Sequence, residues 1–460
     1  MADLKPKLEE MKEFAEVLED NRDELVQKVI DSSRLVRKFA EFDIESIIRI
    51  FRDYDQLIEH LDSQGIDLGS RESIGKVATI LPYNGPGMCF GLSFSGAFLY
   101  DSDIEVKGAS ESKPFFATLE RIMDESNLNY TLVNSDGTNL FSHEKGKDFM
   151  QRQLDPESRT RVLEIFGHDS YILNNDGTLI KDLGDLLSQK TRDFSLILEG
   201  PGKNRFIVTY PLTDVDACAK AMVDLKTLNT GQTCMNAEIF DVDKRVLPEL
   251  LPRILAYAAQ VEVNDPYYPS ADIGPLKNRI AERAIGQIKD ALDNGAKVEY
   301  ASSNMRSQKF YTGEPSNWDG QSLKYGQHAY KFLPFTVISG LKEDAKLRTD
   351  ETFGPIMGIK TFGDDQEVID SINSPIQKYG LGASIFGDDL EGRHDKLLEA
   401  VRSNNGHVYE NVFMFAPGQF DILTTPWGGY KNSRLAVRAK NGKIELEPTG
   451  PQYIVMDFTK

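Results

Sequence analysis

One of the three cysteines of the sequence lies in a short segment of small and polar residues. Cys234 ends the segment NTGQTC, and the mostly apolar run MNAEIF follows it. A cysteine thiolate attacks carbonyl carbons and forms covalent intermediates, whereas an isolated cysteine is usually a small buried hydrophobic side chain. For Cys89 and Cys218 we expect the buried role. For Cys234 the segment alone leaves both interpretations open.

Three polar residues in other short motifs are candidates for chemistry beside it. Glu199 lies in LEGPGK, 35 positions before Cys234, with Lys203 four positions later. A carboxylate can activate water as a general base, although a lone glutamate is usually a solvated surface charge. Asn84 lies in LPYNGP and Glu351 in ETFGP. Their order along the chain, more than any single motif, carries the interpretation.

Together these segments resemble the aldehyde dehydrogenase superfamily, with this chain as a divergent member. NTGQTC is similar to the motif N-x-G-Q-x-C, LEGPGK to E-L-G-G-K, and LPYNGP to P-W-N-x-P. EVKGAS is similar to V-x-K-P-S and ETFGP to E-x-F-G-P. NDPYYPSADIGPL and TPWGGYKNS match two further motifs, and all seven run in the family's order between about residues 74 and 433.

The resemblance implies an oxidation of an aldehyde to a carboxylate. Cys234 would attack the aldehyde, and the Asn84 amide and the Cys234 backbone N–H would stabilise the oxyanion. Hydride transfer to the cofactor would leave a thioester on the cysteine. Glu199 would then activate the water that hydrolyses it.

The resemblance also implies NAD or NADP as cofactor. Lys107 would contact the adenine ribose, Glu351 the nicotinamide ribose, and Phe353 the nicotinamide. Ser110 stands where NAD-preferring members often have a glutamate, which repels a 2′-phosphate. The neighbouring Glu111 is able to substitute for it. The choice of cofactor therefore stays open, with a slight preference for tolerance of NADP.

One segment departs from the family at the expected pyrophosphate site. The family has F-T-G-S-x-x-x-G at a helix N-terminus, where backbone N–H groups bind phosphate. Here the segment is LEIFGHDSYILNNDG, which keeps Gly167, replaces the serine by His168 and lacks the last glycine. We expect cofactor binding to be weakened or re-routed. His168 is either a phosphate ligand or an exposed residue of a turn.

Two alternatives follow from these departures. A CoA-linked acyl reductase or acylating aldehyde dehydrogenase would also use Cys234 but would pass the thioester to a thiol. Glu199 argues against it, since such branches often lack the glutamate base, and the altered phosphate motif argues for it. A non-catalytic protein that retains the fold is the second alternative, and Asn84, Glu199 and Cys234 argue against it.

The elements that must position these residues alternate between strands and helices, which predicts an α/β fold. Apolar residues at helical spacing predict helices over residues 4–65. Short strands are predicted at KVATI, DIEVKGA, NYTLVNS, DFSLILEG and RFIVTYP, and residues 302–328 as an irregular insertion. By resemblance, residues 1–203 form a Rossmann-type cofactor-binding domain, helical over 1–70 and α/β over 71–203. Residues 204–433 form the α/β catalytic domain, and 434–460 a β arm of two extended runs for oligomerisation.

The composition of the sequence restricts the classes of partner that we expect the protein to bind. The net charge of −19 argues against nucleic-acid binding, which needs a basic surface. No run is long and apolar enough for a membrane span, and the N-terminus lacks the features of a signal peptide. The presence of only three cysteines predicts a reducing cytoplasm. The six histidines are dispersed along the sequence, which predicts that there is no metal site. We expect a homodimer or homotetramer that acts on a small-molecule aldehyde.

Overall fold

The computed structural model describes residues 4–126, 128–130, 140–302, 323–325, 328–416 and 418–460. The helices are α1 Lys5–Asp20, α2 Arg22–Ser33, α3 Arg37–Arg52, α4 Tyr54–Ser63, α5 Pro86–Leu99, α6 Lys113–Glu125, α7 Gly146–Leu154, α8 Lys181–Ser188, α9 Val215–Thr227, α10 Leu247–Ala258, α11 Asn278–Asp293, α12 Lys346–Thr349, α13 Asp365–Asn373, α14 Leu390–Arg393 and α15 Asp395–Asn404. The strands are β1 Lys76–Ile80, β2 Ile104–Lys107, β3 Thr160–Phe166, β4 Phe194–Glu199, β5 Asn204–Val208, β6 Ala237–Asp243, β7 Leu276–Lys277, β8 Lys297–Ala301, β9 Leu323–Tyr325, β10 His328–Lys331, β11 Thr336–Ser339, β12 Ile356–Phe362, β13 Tyr379–Gly380, β14 Gly382–Phe386, β15 His407–Glu410, β16 Tyr430–Lys431, β17 Arg434–Lys440 and β18 Lys443–Pro448.

The N-terminal helices pack around α5, a helix that is apolar on almost every side. Met11, Phe14 and Leu18 line the buried face of α1, at the spacing expected for an amphipathic helix. Helix α5 has the sequence PGMCFGLSFSGAFL, and twelve of its fourteen residues are buried. A helix without a polar face must be surrounded by protein, so α1 and α3 cover it and fix its position.

The first sheet has the strand order β18-β17-β4-β3-β1-β2. Strands β1 to β4 are parallel, β17 is antiparallel to β4, and β18 is antiparallel to β17. The strand order reverses between β1 and β3. In open parallel sheets, ligands bind outside the carboxyl ends of the strands at such a switch point. The segment after β1 is LPYN, which places Asn84 there.

The second sheet has the strand order β15-β14-β5-β6-β12-β11-β8. All of its neighbouring strands are parallel except β8, which is antiparallel to β11. Strand β5 follows β4 after only four residues, so the chain passes from one sheet to the other at the segment GPGK. The motif of Glu199 therefore lies at the junction of the two sheets.

The structure confirms the α/β class and the predicted N-terminal helices, and beside the two large sheets the described residues form two small ones, β7-β10-β9 and β13-β16. The predicted strand NYTLVNS and most of the predicted insertion 302–328 lie outside the described residues. The tail agrees with expectation in part: 434–440 and 443–448 form strands, whereas 454–458 forms a 3-10 helix rather than an extended run. The predicted boundaries after residues 203 and 433 fall where the chain changes sheets, and the division into domains stays a prediction.

The tail hairpin β17–β18 extends the first sheet instead of standing apart from it. Its outer strand β18 is largely exposed and forms one end of the sheet order. Pairing of this edge with a second copy stays a prediction. Among the described helices, none has the length and apolar character needed to cross a bilayer.

Candidate active site

The loop that carries Cys234 is built on three consecutive residues with left-handed backbone. Asn229, Thr230 and Gly231 have φ angles of 49°, 62° and 78°. A side chain at Gly231 would place its Cβ 2.3 Å from the carbonyl oxygen of Gly354, a contact that no side chain can make. The glycine of NTGQTC thus lets this loop approach the ETFGP segment directly.

The neighbouring loop after β4 packs against the backbone of Cys234. Asn204 Nδ2 donates a hydrogen bond to the Cys234 carbonyl at 2.8 Å. A Cβ at Gly202 would lie 1.7 Å from the same carbonyl oxygen, so only glycine fits there. Cys234 remains partly exposed, whereas Cys89 and Cys218 are buried as expected. The backbone of the candidate nucleophile is therefore held from two sides.

The electrostatic surroundings of Cys234 favour its neutral form. Burial raises the pKa of its thiol to about 12, and the charges of Glu351 and Glu199 raise it further. The resting residue is thus a thiol. Attack on a carbonyl requires that a base removes the thiol proton as the bond forms.

Asn84 reaches this loop from the end of β1 in the other sheet. Its Nδ2 donates to the Gln232 carbonyl at 2.9 Å, and Asn229 Nδ2 donates to the Asn84 carbonyl at 3.0 Å. The Tyr83 hydroxyl donates to Gln232 Oε1 at 2.8 Å. These bonds bring together two of the predicted residues, the amide of Asn84 and the loop of Cys234, although 148 positions separate Asn84 from Gln232.

A buried carboxyl group fixes the helix that follows Asn84. Asp43 of α3 is fully buried and accepts the backbone N–H groups of Gly87 at 2.9 Å and Met88 at 2.8 Å. These are orphan donors of the first turn of α5, which the helix itself cannot satisfy. Burial raises the pKa of Asp43 to about 6, and the two N–H groups oppose that rise. Sequence reasoning missed this residue.

Glu199 ends β4 and is engaged by a buried arginine. Arg434 Nε donates to Glu199 Oε1 at 2.6 Å, and Arg434 also pairs with Asp457. Burial raises the pKa of Glu199 to about 7, while Arg434 opposes the rise. The predicted base is therefore a buried carboxyl group that titrates near neutral pH, rather than a solvated surface charge.

A third carboxyl group completes this cluster. One oxygen each of Glu164, Glu199 and Asp457 lie within 4.8 Å of one another. Ser93 Oγ donates to Glu164 Oε2 at 2.6 Å. The Arg434 guanidinium stands among them and supplies a positive charge at this place.

Glu351 and Phe353 lie on the loop before β12, which a buried ionic group supports. Glu238 of β6 accepts the N–H groups of Thr352 at 2.7 Å and Phe353 at 3.0 Å. Lys203 lies 2.8 Å from the same carboxylate. Phe353 has a φ of 57°, an uncommon conformation that needs such support. Burial raises the pKa of Glu351 to about 7.

Lys107 and Ser110 lie together at the end of β2. Burial lowers the pKa of Lys107, whose ammonium group donates to the Gly108 carbonyl. Ser110 is exposed and donates to Glu111 at 3.0 Å. Glu111 in turn pairs with Lys277 at 2.5 Å. The carboxylate that was considered as a substitute at Ser110 is therefore neutralised by a lysine.

The segment after β3 has no long helix at the expected pyrophosphate position. A three-residue 3-10 turn spans 169–171, and the next α-helix begins only at Lys181. Gly167 N–H donates to the Glu199 carbonyl at 3.0 Å. His168 is partly exposed and lies 3.0 Å from Asp169 Oδ1, a hydrogen bond that raises the pKa of the imidazole. The proposed phosphate contact is thus reduced to one histidine paired with a carboxylate.

The polar groups of the site suit the two ribose ends of a dinucleotide. They differ from the family's pattern where the pyrophosphate between those ends would bind. Lys107 and Ser110 offer an ammonium and a hydroxyl group to a ribose or a 2′-phosphate. Glu351 offers a carboxylate to ribose hydroxyl groups, and its electrostatic neighbours include His168. In the described segment between β3 and the helix that begins at Lys181, no α-helix N-terminus offers its backbone N–H groups, and His168 is the candidate cation. Which of these residues contact a cofactor stays a prediction.

Sequence reasoning missed the charged residues that support the site. They are Asp43, Glu164, Glu238, Arg434 and Asp457. A weak signal existed for Glu238, because a charged residue in the apolar run MNAEIF of a buried strand requires a partner. For Arg434 the partner is 235 positions away, and no local pattern indicates it.

The sequence pattern of the aldehyde dehydrogenase family matches residues 2–140 and 182–448 of this chain. The unmatched residues between these ranges include β3 and the altered segment around His168. A putative aldehyde dehydrogenase of Staphylococcus aureus strain MSSA476 is 26% identical over 429 residues, covering 91% of this chain and 79% of the relative.

Solved structures share the fold at lower identity. 3,6-Anhydro-L-galactose dehydrogenase, solved in complex with NAP, superimposes with a TM-score of 0.77 at 19% identity, covering 99% of this chain and 86% of the other. An NAD-dependent aldehyde dehydrogenase from Sinorhizobium meliloti gives a TM-score of 0.76 at 18% identity, covering 100% and 81%. At such identities these similarities establish the fold.

Proposed function

This chain belongs to the aldehyde dehydrogenase family and is an NAD(P)-dependent aldehyde dehydrogenase, and we propose that it oxidises a small-molecule aldehyde to the carboxylate through a thioester on Cys234. The observation that carries the proposal is the hydrogen bond from Asn84 Nδ2 to the Gln232 carbonyl at 2.9 Å. It joins the carboxyl end of β1 to the Cys234 loop. An amide is thereby held close to the sulfur whose attack creates an oxyanion.

In the first step, Cys234 forms a carbon–sulfur bond to the aldehyde carbon, and its proton passes to the Glu199 carboxylate, which releases it before the second step. The second Nδ2 proton of Asn84 and the Cys234 backbone N–H then stabilise the new oxyanion. Removing a single donor of this kind costs about 10²–10³ in rate in other enzymes. NAD or NADP, which Lys107, Ser110 and Glu351 would hold, would supply acceptance of the hydride from the substrate carbon, and Cys234 would then carry the acyl group as a thioester.

In the second step, Glu199 activates water for attack on the thioester. A carboxyl group with a pKa of about 7 is well matched to this role, because a substantial fraction is ionised at neutral pH. The carbon–sulfur bond breaks, the cysteine leaves as thiolate, and the carboxylate product is released.

The decisive experiment is a panel of aldehydes with purified protein and NAD or NADP, with and without CoA. We expect reduction of the cofactor without CoA, and loss of that activity in Cys234→Ala. Mass spectrometry of denatured protein should show an acyl adduct on Cys234 that the variant cannot form. Cys218→Ala is the matched control, because Cys218 is a buried cysteine on α9. Activity that survives Cys234→Ala would refute the nucleophile.

One observation supports a second candidate, the CoA-linked reaction in which a thiol accepts the acyl group. Glu199 Oε1 is bound to Arg434 at 2.6 Å, so one carboxylate oxygen is not available to water. A thiol acceptor would need less help from a base than water does. Reduction of cofactor only in the presence of CoA would assign this reaction. The absence of both reactions, together with no cofactor binding by calorimetry, would indicate a non-catalytic protein.

The assembly and location belong to the same proposal. The largely exposed edge strand β18 supports pairing of two copies into a homodimer or homotetramer. Sedimentation of the protein, compared with a variant that places proline at Glu445 in β18, tests this pairing. The small number of free cysteines supports a reducing cytoplasm.

A further inference from the structure

Arg434 is the central residue of the buried cluster at the end of β4. It is fully buried and uses three nitrogen atoms: Nε donates to Glu199 at 2.6 Å, Nη1 to Thr449 Oγ1 at 2.5 Å, and Nη2 to Asp457. One guanidinium thus faces three carboxyl groups, those of Glu199, Asp457 and Glu164. Since buried carboxylates require compensation, the cluster must also hold protons.

The two oxygens of Glu199 have different surroundings. Oε1 is committed to Arg434, whereas Oε2 is buried and has no hydrogen-bond partner among the described residues. An unsatisfied buried polar atom costs about 1–3 kcal/mol, so its position calls for a functional reason. A Cβ at Gly428 would lie 2.3 Å from Arg434 Cδ and 3.0 Å from Oε2, so only glycine lets this backbone segment pack against the Arg434–Glu199 pair.

We propose that Arg434 is the positioning residue of Glu199: it binds Oε1, compensates the charge of the carboxylate, and leaves Oε2 to take the proton of the hydrolytic water. The inference rests on the proposed function of Glu199 in deacylation. In that step a carbon–oxygen bond forms between water and the acyl carbon. The carbon–sulfur bond breaks, Cys234 leaves as thiolate, and the water proton passes to Oε2.

The groups that face Glu199 predict the direction in which each variant changes its titration. They are Arg434 from β17, Asp457 from the 3-10 helix at 454–458, Glu164 from β3, and the thiols of Cys234 and Cys89. Burial raises the pKa of Glu199, Arg434 lowers it and Asp457 raises it. Weakening the arginine contact therefore raises the pKa of Glu199, and neutralising Asp457 lowers it.

Glu164 provides a third, different expectation. Burial and the charge of Glu199 raise its pKa well above the ordinary value. The pKa shift of Glu199 itself is caused by burial, Arg434 and Asp457, and Glu164→Gln keeps both of these charged partners. We expect it to leave the titration of Glu199 unchanged.

The test measures deacylation alone, as a function of pH. Cys234 is acylated with p-nitrophenyl acetate, and mass spectrometry follows the loss of the acetyl group between about pH 5 and 9. In Arg434→Lys we expect a deacylation rate about tenfold lower. The acidic limb of its pH profile should lie about one pH unit higher, a shift equivalent to about 1.4 kcal/mol. In Asp457→Asn the limb should move to lower pH. Arg438→Lys is the matched control, because Arg438 lies on the same strand in an exposed pair with Glu447.

The opposite shifts separate a positioning role from a structural one. A merely structural loss would lower the rate in both variants without moving the two pH profiles apart. The proposal would be overturned if the pH profiles of deacylation in Arg434→Lys and Asp457→Asn coincided with that of the unmodified protein. It would also be overturned if both profiles moved in the same direction. Arg434→Lys keeps a positive charge in the cluster, and Asp457→Asn keeps the arginine, so the two variants disturb folding differently.

The same measurements distinguish this inference from the proposed function. Acylation by the ester needs neither an aldehyde nor a cofactor. If the aldehyde panel fails and the two opposite shifts persist, the oxidation is wrong and the role of Arg434 stands. If the ester does not acylate Cys234, the infrared carbonyl band of protonated Glu199, identified by its loss in Glu199→Gln, reports the same titration. An unchanged band in Arg434→Lys would then overturn the inference.

Discussion

Glu238 supports Phe353 from below: its Oε1 accepts the Phe353 N–H at 3.0 Å, and its Oε2 accepts the Thr352 N–H at 2.7 Å. Burial would raise the pKa of this carboxyl group, but Lys203 and Lys226 lower it to about 2. The ion pairs keep the acceptor charged and rigid. Strand β6, which follows Cys234 and carries Glu238, therefore fixes the conformation of the loop that carries Glu351 and Phe353.

We expect Glu238→Gln to weaken cofactor binding more than it slows the chemistry. The amide keeps one acceptor oxygen but loses the second, and it leaves two buried lysines without their charge partner. The dissociation constant for the reduced cofactor should rise about tenfold, equivalent to about 1.4 kcal/mol. Fluorescence titration measures it. The control is Glu249→Gln on α10, an exposed pair with Arg253, and an unchanged affinity in Glu238→Gln would contradict the prediction.

Ser110→Glu should turn the enzyme away from NADP. Ser110 is exposed near Lys107, and the adjacent Glu111 is already paired with Lys277 at 2.5 Å. A new carboxylate at 110 would repel a 2′-phosphate and accept ribose hydroxyl groups. We expect the ratio of kcat/KM for NADP to that for NAD to fall about tenfold. Ser63→Glu adds the same charge at an exposed distant site, and an equal ratio in both variants would argue against a role for position 110.

Asp43→Asn should change the pH dependence of stability. Asp43 has a pKa raised from 3.8 to about 6 by burial, so between these values the folded protein binds more protons there than the unfolded chain. The contribution of Asp43 therefore falls as pH rises from about 4 to about 6. Urea denaturation measures the unfolding free energy of the unmodified protein and of Asp43→Asn at each pH. The value for the unmodified protein minus that for the variant should decrease from about pH 4 to about pH 6. Asp62→Asn, at an exposed position of α4, should show no such slope.

His168→Gln should remove a pH dependence of cofactor affinity. The hydrogen bond to Asp169 raises the pKa of His168, so the imidazolium persists to higher pH than that of a free histidine. Affinity for the cofactor phosphates should fall as pH rises through this pKa. An exposed ion pair contributes less than about 1 kcal/mol, which corresponds to a change of about threefold. His143→Gln, another exposed histidine, should keep the dependence, and a pH-independent unmodified protein would exclude His168 as a phosphate ligand.

The strands and the loops of the motifs were predictable because they depend on local patterns. Parallel strands bring their carboxyl ends to one edge of a sheet, so the residues directly after β1, β2 and β4 lie at the same edge. Asn84, after β1, contacts the Cys234 loop. The glycines of NTGQTC and LEGPGK mark backbone contacts that exclude a side chain, as at Gly231 and Gly202.

The ionic supports of the site were not predictable from local patterns. Asp43, Glu238 and Arg434 each have a partner that only the folded chain brings near, and a buried charge looks like an exposed one in sequence. In the tail, only the last extended run was wrong, because residues 454–458 form a 3-10 helix. The turn Asn441–Gly442 has positive φ at both residues, which is the geometry of a hairpin, and it joins the strands at 434–440 and 443–448.

The antiparallel addition of β17 to β4 also sets an order of events during synthesis. A ribosome makes Glu199 first and must add 235 further residues before Arg434 exists. Until then, the end of β4 has no guanidinium to compensate its carboxyl groups, and the edge of the four parallel strands is open. A nascent chain consequently cannot complete the cluster of Glu199, Asp457 and Arg434 while it is being extended, so this part of the first sheet is finished only after translation has passed β17.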